Sequence, residues 1–313
     1  MSAAPEAYRA PWWLPGGHLQ TIVGALLPAP RVRWRRERWT TPDGDFIDLD
    51  WADAGAPPSA PLLALFHGLE GSSSSPYARA IASLAAARGL RCVVPHFRGC
   101  SGELNHLPRA YHSGDSDEID WILARLRPRY AVGVSLGGNA LLKYLGERGD
   151  TVSVERAVSV SAPLDLAAAG RALDRGLSKN IYTRMFLRTL RRKSLAKLAR
   201  HPGVVDAARV RAAATFWEFD DAVTAPLHGF LGADDYWARS SSAPWIAKIR
   251  IPTLVLNARN DPFLPAPALD RVKHMLTGLP GHIALETPDT GGHVGFPGRA
   301  QWLARRVHAF LAA

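Results

Sequence analysis

One segment near the middle of the chain limits the fold more than any other, because it places a single serine between a strand and a helix. The segment is residues 129–145, RYAVGVSLGGNALLKYL. Its first part is apolar and β-branched, and after the letters GVSLG the apolar residues recur at helical spacing. A serine between two glycines in this setting is typical of a G-x-S-x-G nucleophile elbow. We therefore expect Ser135 at the tip of a tight turn.

The elbow has a chemical use if its serine is a nucleophile. A helix N-terminus offers free N–H groups to a developing negative charge. The residue after the serine supplies one such donor, which here is the backbone N–H of Leu136. A glycine-rich turn without chemistry is the alternative, because so short a motif also arises by chance.

The segments around the elbow alternate between strand and helix. Two alternating segments on either side of TPDGD at 41–45 predict an antiparallel pair. The later apolar runs are typical of parallel strands that are buried on both faces. These runs lie at 61–66, 91–95, 152–163, 251–256 and 282–286. With helical patterns between them, they predict a mostly parallel central sheet flanked by helices.

The alternation stops between residues 164 and 245, where only helical patterns occur. About eighty helical residues between two core strands predict a cap above the carboxyl edge of the sheet, where open α/β sheets bind ligands. We expect an N-terminal arm at 1–30, a core at 31–163 and 246–313, and a helical cap insertion at 164–245. In the arm, Trp12, Trp13 and His18 are expected to pack against the body.

Positive charge is concentrated in the predicted cap. Residues 171–211 contain twelve Lys or Arg and two Asp, and the whole chain has a net charge of +10. Such a field can attract anionic substrates or bring this stretch into peripheral contact with an anionic membrane. An ordinary solvated helical face is the alternative. The stretch lacks the aromatic interleaving that base stacking needs, so we expect no nucleic acid partner.

Two further reactive side chains follow later core strands. Asp261 comes after the apolar run at 251–256, and His293 stands in a glycine-rich loop after the last strand. Ser135, Asp261 and His293 thus occur in the chain order of α/β-hydrolases, which identifies the expected fold. A neutral serine needs an imidazole to take its proton, and a carboxylate orients that imidazole and stabilises its charged form.

A second oxyanion donor is predicted in the sequence HGLEG at 67–71, which follows an early central strand. α/β-Hydrolases place a backbone N–H in this loop, and here it belongs to Leu69. Two alternative assignments of triad residues stay open. Asp234 or Asp235 could replace Asp261 as the acid, and His282 is a weaker rival of His293.

Nothing in the sequence indicates a cofactor or a metal. The histidines at 96, 106 and 112 have no acidic or thiol partner at ligand spacing, so we interpret them as surface and loop residues. Cys92 and Cys100 are too few for a disulfide framework. No signal peptide and no long apolar run are found. We therefore expect a reduced, cytoplasmic protein without cofactor or metal.

Five motifs together resemble the YheT-like esterase family of the α/β-hydrolase superfamily. They are PWWLPGGHLQT at 11–21, HGLEG at 67–71, GVSLGGN at 133–139, FDDAVTAP at 219–226 and NDPF at 260–263. The resemblance covers nearly the whole chain. It implies a serine hydrolase of carboxylic esters, in a group whose eukaryotic members include phospholipid and acylglycerol lipases.

On these grounds we expect a carboxylesterase that forms an acyl-enzyme on Ser135 with a short- or medium-chain acyl ester. A lipase or phospholipase whose basic cap meets anionic head groups is the first alternative. An acyltransferase is another, because the triad does not distinguish water from another alcohol as acceptor. A non-catalytic scaffold that binds a ligand or partner is the last. The oligomeric state stays open between monomer and homodimer.

Overall fold

The structure, a computed structural model, describes residues 7–278, 281–298 and 301–313. Within these ranges, eight strands form a single sheet. The strands are β1 Arg35–Thr40, β2 Phe46–Ala52, β3 Leu62–Phe66, β4 Arg91–Pro95, β5 Tyr130–Val134, β6 Arg156–Val160, β7 Thr253–Leu256 and β8 Ile283–Glu286. Each apolar run that predicts a core strand therefore contains one.

The order of the strands is β1-β2-β4-β3-β5-β6-β7-β8. β2 runs antiparallel to both of its neighbours, and the strands from β4 to β8 are parallel. This is a mostly parallel sheet with an antiparallel start, and it confirms the predicted α/β-hydrolase fold. β5 lies in the middle of the sheet, so the residue that follows it emerges at the centre of the carboxyl edge.

Helices cover the sheet and connect its strands. In chain order they are α1 Gly17–Leu26, α2 Pro76–Ala87, α3 Ser116–Leu126, α4 Leu136–Arg148, α5 Leu166–Leu173, α6 Gly176–Ser178, α7 Arg184–Arg200, α8 Ala207–Ala212, α9 Phe216–Phe219, α10 Ala225–Leu227, α11 Ala233–Ser240, α12 Ala243–Ile246, α13 Ala266–Met275 and α14 Trp302–Leu311. Single π-helical turns precede α7 and α10. Among the residues with described structure, no helix has the length and apolarity to cross a bilayer.

The sheet separates two apolar layers, as the side-chain alternation of its strands requires. In β3, Ala64 and Phe66 pack on the side of α3 and α4. Leu63 and Leu65 face the other side, where α2 and α14 lie. All five residues of β3 and of β5 are buried, which explains why these strands read as continuous apolar runs.

Eight helices, α5 to α12, lie between β6 and β7, where the sequence predicts a cap. The boundaries of the arm, core and cap stay a prediction. The predicted strand at 152–163 is shorter in the structure, where β6 spans only Arg156–Val160. It ends there because the next residue, Ser161, has a φ of 50°, which leaves the extended conformation. The sequence predicts a last helix at 299–311. In the structure it begins at Trp302, and residues 299 and 300 lie outside the described residues.

The prediction that Trp12 and Trp13 pack against the body is wrong. Their exposed fractions are 92% and 56%. The arm is anchored by other side chains: Leu14 and Tyr8 are each 4% exposed, and the Tyr8 hydroxyl donates to the Pro297 carbonyl at 2.7 Å. The Leu14 N–H donates to the Pro11 carbonyl at 2.9 Å, so Trp12 and Trp13 are the two central residues of a turn that carries both side chains into solvent.

Candidate active site

Ser135 stands at the sharp turn between β5 and α4. Its φ of 53° and ψ of −120° are strained for a residue with a side chain. Its N–H donates to the Val160 carbonyl at 2.8 Å. A Cβ on Gly133 would lie 2.5 Å from the Gly137 oxygen, and one on Gly137 would lie 2.5 Å from the His67 oxygen. Both glycines are therefore required by close backbone approach.

The structure brings the three predicted triad residues into one hydrogen-bonded chain. His293 Nε2 lies 2.9 Å from Ser135 Oγ, and His293 Nδ1 lies 2.9 Å from Asp261 Oδ2. Because Nδ1 faces a carboxylate, we assign it the proton, which leaves Nε2 to accept from the serine hydroxyl. The Asp261 side chain is fully buried. The arrangement matches a base that is oriented by an acid and faces a nucleophile.

The alternative triad residues lie elsewhere. Asp234 accepts a hydrogen bond from Trp217 Nε1 at 3.2 Å. Asp235 accepts from the Leu231 N–H at 3.0 Å. His282 stands before β8, at the strand end opposite to the loop of His293. In the described parts of the chain, none of the three alternatives hydrogen-bonds to Ser135 or His293.

The two predicted oxyanion donors flank the serine. Leu136 is the first residue of α4, so its N–H has no partner within the helix. The turn that carries Leu69 lies against the nucleophile, because a Cβ on Gly68 would be 3.1 Å from Ser135 Cβ. Neither of these N–H groups donates to another described residue of the protein. Both are thus available to an anionic oxygen.

His67 supports the turn that carries Leu69. Its Nε2 accepts from the Phe97 N–H at 3.1 Å, so Nδ1 carries the proton and donates to the Gly68 carbonyl at 2.8 Å. Complete burial lowers the pKa of His67 to about 3. The ring is consequently neutral near pH 7 and acts as a structural support of the turn.

The arm contributes polar groups that sequence reasoning missed. Thr21 Oγ1 accepts from the His293 N–H at 2.8 Å. The Gln20 side-chain oxygen accepts from the Gly291 N–H at 2.8 Å and from Asn260 Nδ2 at 2.9 Å. α1 therefore holds the loops that carry both His293 and Asp261. The motif PWWLPGGHLQT contains these residues, but nothing in its pattern indicates which loops they reach.

Phe263 is a further residue to which the sequence pattern assigns no role. Its N–H donates to Asp261 Oδ1 at 2.8 Å, and its ring lies against the His293 imidazole. The only sequence signal was its place in the motif NDPF, two positions after the acid.

Two cavities meet at Ser135 and His293. The narrower one, of about 170 Å³, runs under the helices between β6 and β7. Its walls are mainly apolar and include Leu166, Leu173, Phe186, Leu190, Phe216 and Val223. The wider one, of about 910 Å³, is a groove beside α1 that includes Ile22, Leu26 and Met185. An ester at the serine can therefore place one part in each cavity.

The histidines at 96, 106 and 112 belong to no cluster of potential metal ligands within the described residues. Among the described residues, no group of three or more His, Cys, Asp or Glu side chains could hold a metal ion. His96 lies in the loop after β4, as expected, but the interpretation of it as a surface residue is wrong, since it is 2% exposed. Its Nε2 lies 2.8 Å from Asp50 Oδ2 in a buried pair under the antiparallel edge of the sheet.

Comparisons with known proteins agree with the fold. Residues 61–300 match the family model described as alpha/beta hydrolase fold. The chain is 38% identical over 315 residues to "Putative esterase YheT" of Escherichia coli (strain K12), covering 94% of this chain and 89% of that protein. The chain belongs to the YheT-like family of α/β-hydrolases.

Other relatives of this YheT-like protein show how broad the group is. This chain is 30% identical over 330 residues to "Phospholipase ABHD3" of Homo sapiens, and the match covers 98% of this chain and 79% of that protein. Among solved structures, an esterase of Pyrococcus furiosus has a TM-score of 0.58 at 14% identity, covering 91% of this chain and 96% of that chain. That structural likeness concerns the fold alone.

Proposed function

We propose that this YheT-like protein is a carboxylesterase that cleaves short- or medium-chain acyl esters through an acyl-enzyme on Ser135. Membership of its family makes it an ester hydrolase. One observation carries the proposal for the site: His293 lies 2.9 Å from both Ser135 Oγ and Asp261 Oδ2. The cytoplasmic location expected from the sequence stays a prediction.

The proposed reaction has two halves. Ser135 Oγ attacks the ester carbonyl carbon while His293 Nε2 takes its proton, and Asp261 stabilises the imidazolium. The N–H groups of Leu69 and Leu136 bind the oxyanion, each contributing about 3 to 4 kcal/mol to the transition state. His293 then gives its proton to the leaving alcohol oxygen. In the second half a water molecule, deprotonated by His293, attacks the acyl-enzyme and releases the acid and Ser135.

The apolar lining of the narrower cavity supports an acyl chain as its occupant. Leu173, Phe186 and Leu190 offer such a chain apolar contact, and each buried methylene contributes about 0.8 kcal/mol. The alcohol part would then leave through the wider groove. We therefore expect kcat/KM to rise with acyl length until the cavity is full, and to fall beyond that length.

The test uses chromogenic esters of increasing acyl length and a fluorophosphonate probe. Wild type should hydrolyse the esters and gain one probe adduct, located on Ser135 by mass spectrometry. Ser135→Ala should lower kcat by about 10⁵-fold or more. Ser74→Ala, which changes an exposed serine in the loop before α2, is the matched control and should keep full activity. Equal hydrolysis by wild type and Ser135→Ala would refute the proposed nucleophile.

A lipid ester at an anionic membrane is a second candidate substrate, and the surface of the groove favours it. Leu26 and Met185 line the groove and are 78% and 55% exposed. Arg184 and Arg188 are exposed on the same helix as Met185. Apolar side chains beside exposed cations are typical of proteins that bind at a lipid interface. The basic stretch at 171–211 would supply this contact.

Vesicle binding tests this second candidate. The protein should sediment with vesicles that contain phosphatidylglycerol more than with pure phosphatidylcholine, and added salt should reduce the binding. Met185→Glu should weaken binding without changing hydrolysis of a water-soluble ester that is too short to reach the groove. Equal binding to both vesicles, unaffected by salt, would exclude the basic stretch as a membrane contact.

A further inference from the structure

An ion pair joins the turn of the second oxyanion donor to α7. Glu70 follows Leu69 in that turn, and its Oε1 accepts a hydrogen bond from Lys193 Nζ at 2.8 Å. Lys193 belongs to α7, one of the helices between β6 and β7. The Glu70 side chain is only 9% exposed and that of Lys193 24%. Loss of one partner would leave a poorly hydrated charge, which is far costlier than breaking a surface pair.

Tyr111 holds the same glutamate from the side of the core. Its hydroxyl donates to Glu70 Oε1 at 2.8 Å and accepts from the Glu70 N–H at 2.9 Å. The side chain and the backbone of Glu70 are therefore fixed by one residue of the core and one residue of α7.

The backbone of the turn depends on this anchoring. The Gly71 N–H donates to the Gly68 carbonyl at 2.9 Å, so residues 68–71 form a tight turn with Glu70 in its third position. The φ of Glu70 is 55°, a value that favours glycine or asparagine and costs a glutamate about 1 kcal/mol. The hydrogen bonds of its side chain offset that strain and keep the turn, with its Leu69 N–H, in place.

We propose that Glu70 is a positioning residue of the oxyanion hole, and that Lys193 makes this positioning depend on how α7 sits on the core. The inference rests on the proposed roles of Ser135 and Leu69. Glu70 borders both cavities, and the role proposed for it is to hold the turn. α7 also supplies Phe186 and Leu190 to the narrower cavity, so an acyl chain that packs there favours the position of α7 in which the ion pair is closed.

The charge of Lys193 has a second effect. A carboxylate beside Leu69 would oppose the negative charge that develops on the oxyanion, because interactions in a poorly hydrated site are weakly screened. Lys193 neutralises that carboxylate. Removal of the lysine should consequently do more harm than removal of both charges together.

Steady-state kinetics on four variants test the proposal. Lys193 also lines the narrower cavity, so the substrate is a short ester that does not fill it. With that ester, Lys193→Met should lower kcat about 10- to 100-fold with KM within about twofold, a partial form of the loss caused by deleting an oxyanion donor. Lys193→Arg should restore most of the activity. Glu70→Gln should lower kcat less, and the double variant Glu70→Gln/Lys193→Met should be more active than Lys193→Met alone, since the unpaired carboxylate is gone.

Arg271→Met is the control, taken from a more exposed ion pair whose side chains are 59% and 30% exposed. Arg271 Nη2 lies 2.7 Å from Asp165 Oδ2, which joins α13 to the start of α5. This second ion pair also links a core helix to a helix between β6 and β7, but it involves the turn at 68–71 at neither end. Its loss should leave kcat unchanged. An equal fall in kcat for Arg271→Met and Lys193→Met would overturn the proposal, because any loosening of these helices would then suffice.

Hydrogen exchange gives a readout that needs no activity. In Lys193→Met, peptides that contain the N–H groups of Glu70 and Gly71 should exchange faster than in wild type, whereas in Arg271→Met they should not. Unchanged exchange, or a loss confined to KM, would overturn the proposal. Failure of the proposed function has a different signature: wild type would then gain no fluorophosphonate adduct on Ser135, while the exchange experiment would still report the coupling between α7 and the turn.

Discussion

The phenyl ring of Phe263 lies face to face with the imidazole of His293, with the ring centroids 3.8 Å apart and the planes inclined by 17°. The same residue donates its N–H to Asp261 Oδ1 at 2.8 Å. Phe263 thus contacts both the proposed base and the proposed acid. Its ring limits rotation of the imidazole, and its π face stabilises the imidazolium that forms during proton transfer.

Phe263→Leu should therefore lower kcat about tenfold, equivalent to about 1.4 kcal/mol of transition-state stabilisation. The variant keeps the backbone N–H to Asp261 and most of the apolar volume, so KM should change little. Phe310→Leu, which alters a partly exposed ring on α14, is the control and should match wild type. Steady-state kinetics with a short-chain ester provide the measurement. Wild-type kcat in Phe263→Leu would show that the stack is dispensable.

Thr21 should matter for catalysis although it lies 272 positions from His293 in the chain. Thr21→Val has nearly the same shape but no acceptor for the His293 N–H, and an unpaired buried N–H costs about 1 to 3 kcal/mol. We expect kcat/KM to fall about tenfold or more, because the loop that carries the imidazole loses its anchor. Thr21→Ser keeps the hydroxyl and should retain most of the activity. Equal kinetics for the valine and serine variants would contradict this role.

The sheet and the proposed triad could be predicted because their signals are local. Each core strand is a continuous apolar run, and the elbow needs its two glycines within five residues. Asp261 and His293 could be placed because parallel strands deliver their carboxyl ends to one edge of the sheet. The chain order of the three residues then identified them without knowledge of any side-chain contact.

The supporting contacts could not be predicted, since they join distant parts of the chain through side-chain geometry. Gln20 reaches Gly291 across 271 positions, and Glu70 reaches Lys193 across 123. Lys193 reads in the sequence as one of twelve basic residues in a cationic stretch. Whether the Lys193 side chain reaches Glu70 depends on how α7 packs on the core, and no local sequence pattern determines that packing.

Asp220 should make the affinity for long acyl chains depend on pH. Asp220 lines the narrower cavity, and desolvation raises the pKa of its carboxyl to about 7 although Thr224 and Trp237 donate hydrogen bonds to it. The group is mostly neutral below pH 7 and ionised above it. An ionised carboxylate keeps water in an apolar cavity, so KM for the longest accepted ester should rise as pH increases from about 6 to about 8.

Asp220→Asn cannot ionise, and its KM should stay flat over the same range. Short esters, which do not fill the cavity, should show the flat profile even in wild type. The required data are KM against pH for one short and one long ester with both proteins. A rise of equal size for both esters would assign the effect to another group.

Acid should destabilise the fold through its buried histidines. The pKa of His67 is lowered to about 3 by burial, whereas a histidine in the unfolded chain has a pKa of about 6.5. Between these values the unfolded chain binds a proton that the folded protein does not bind. The free energy of unfolding must therefore fall as pH decreases from about 6.5 towards 3. His112 and His228 have pKa values lowered in the same direction and add to the slope.

Urea denaturation at a series of pH values measures that slope. His67→Gln should be less stable than wild type at pH 7, because the hydrogen bonds to Gly68 and Phe97 are disturbed, yet its stability should fall less steeply with acid since one titrating group is gone. His274→Gln removes an exposed histidine on α13 and should keep the wild-type slope. If His67→Gln also kept that slope, His67 would have to bind its proton equally well in the folded and unfolded states, which its complete burial opposes.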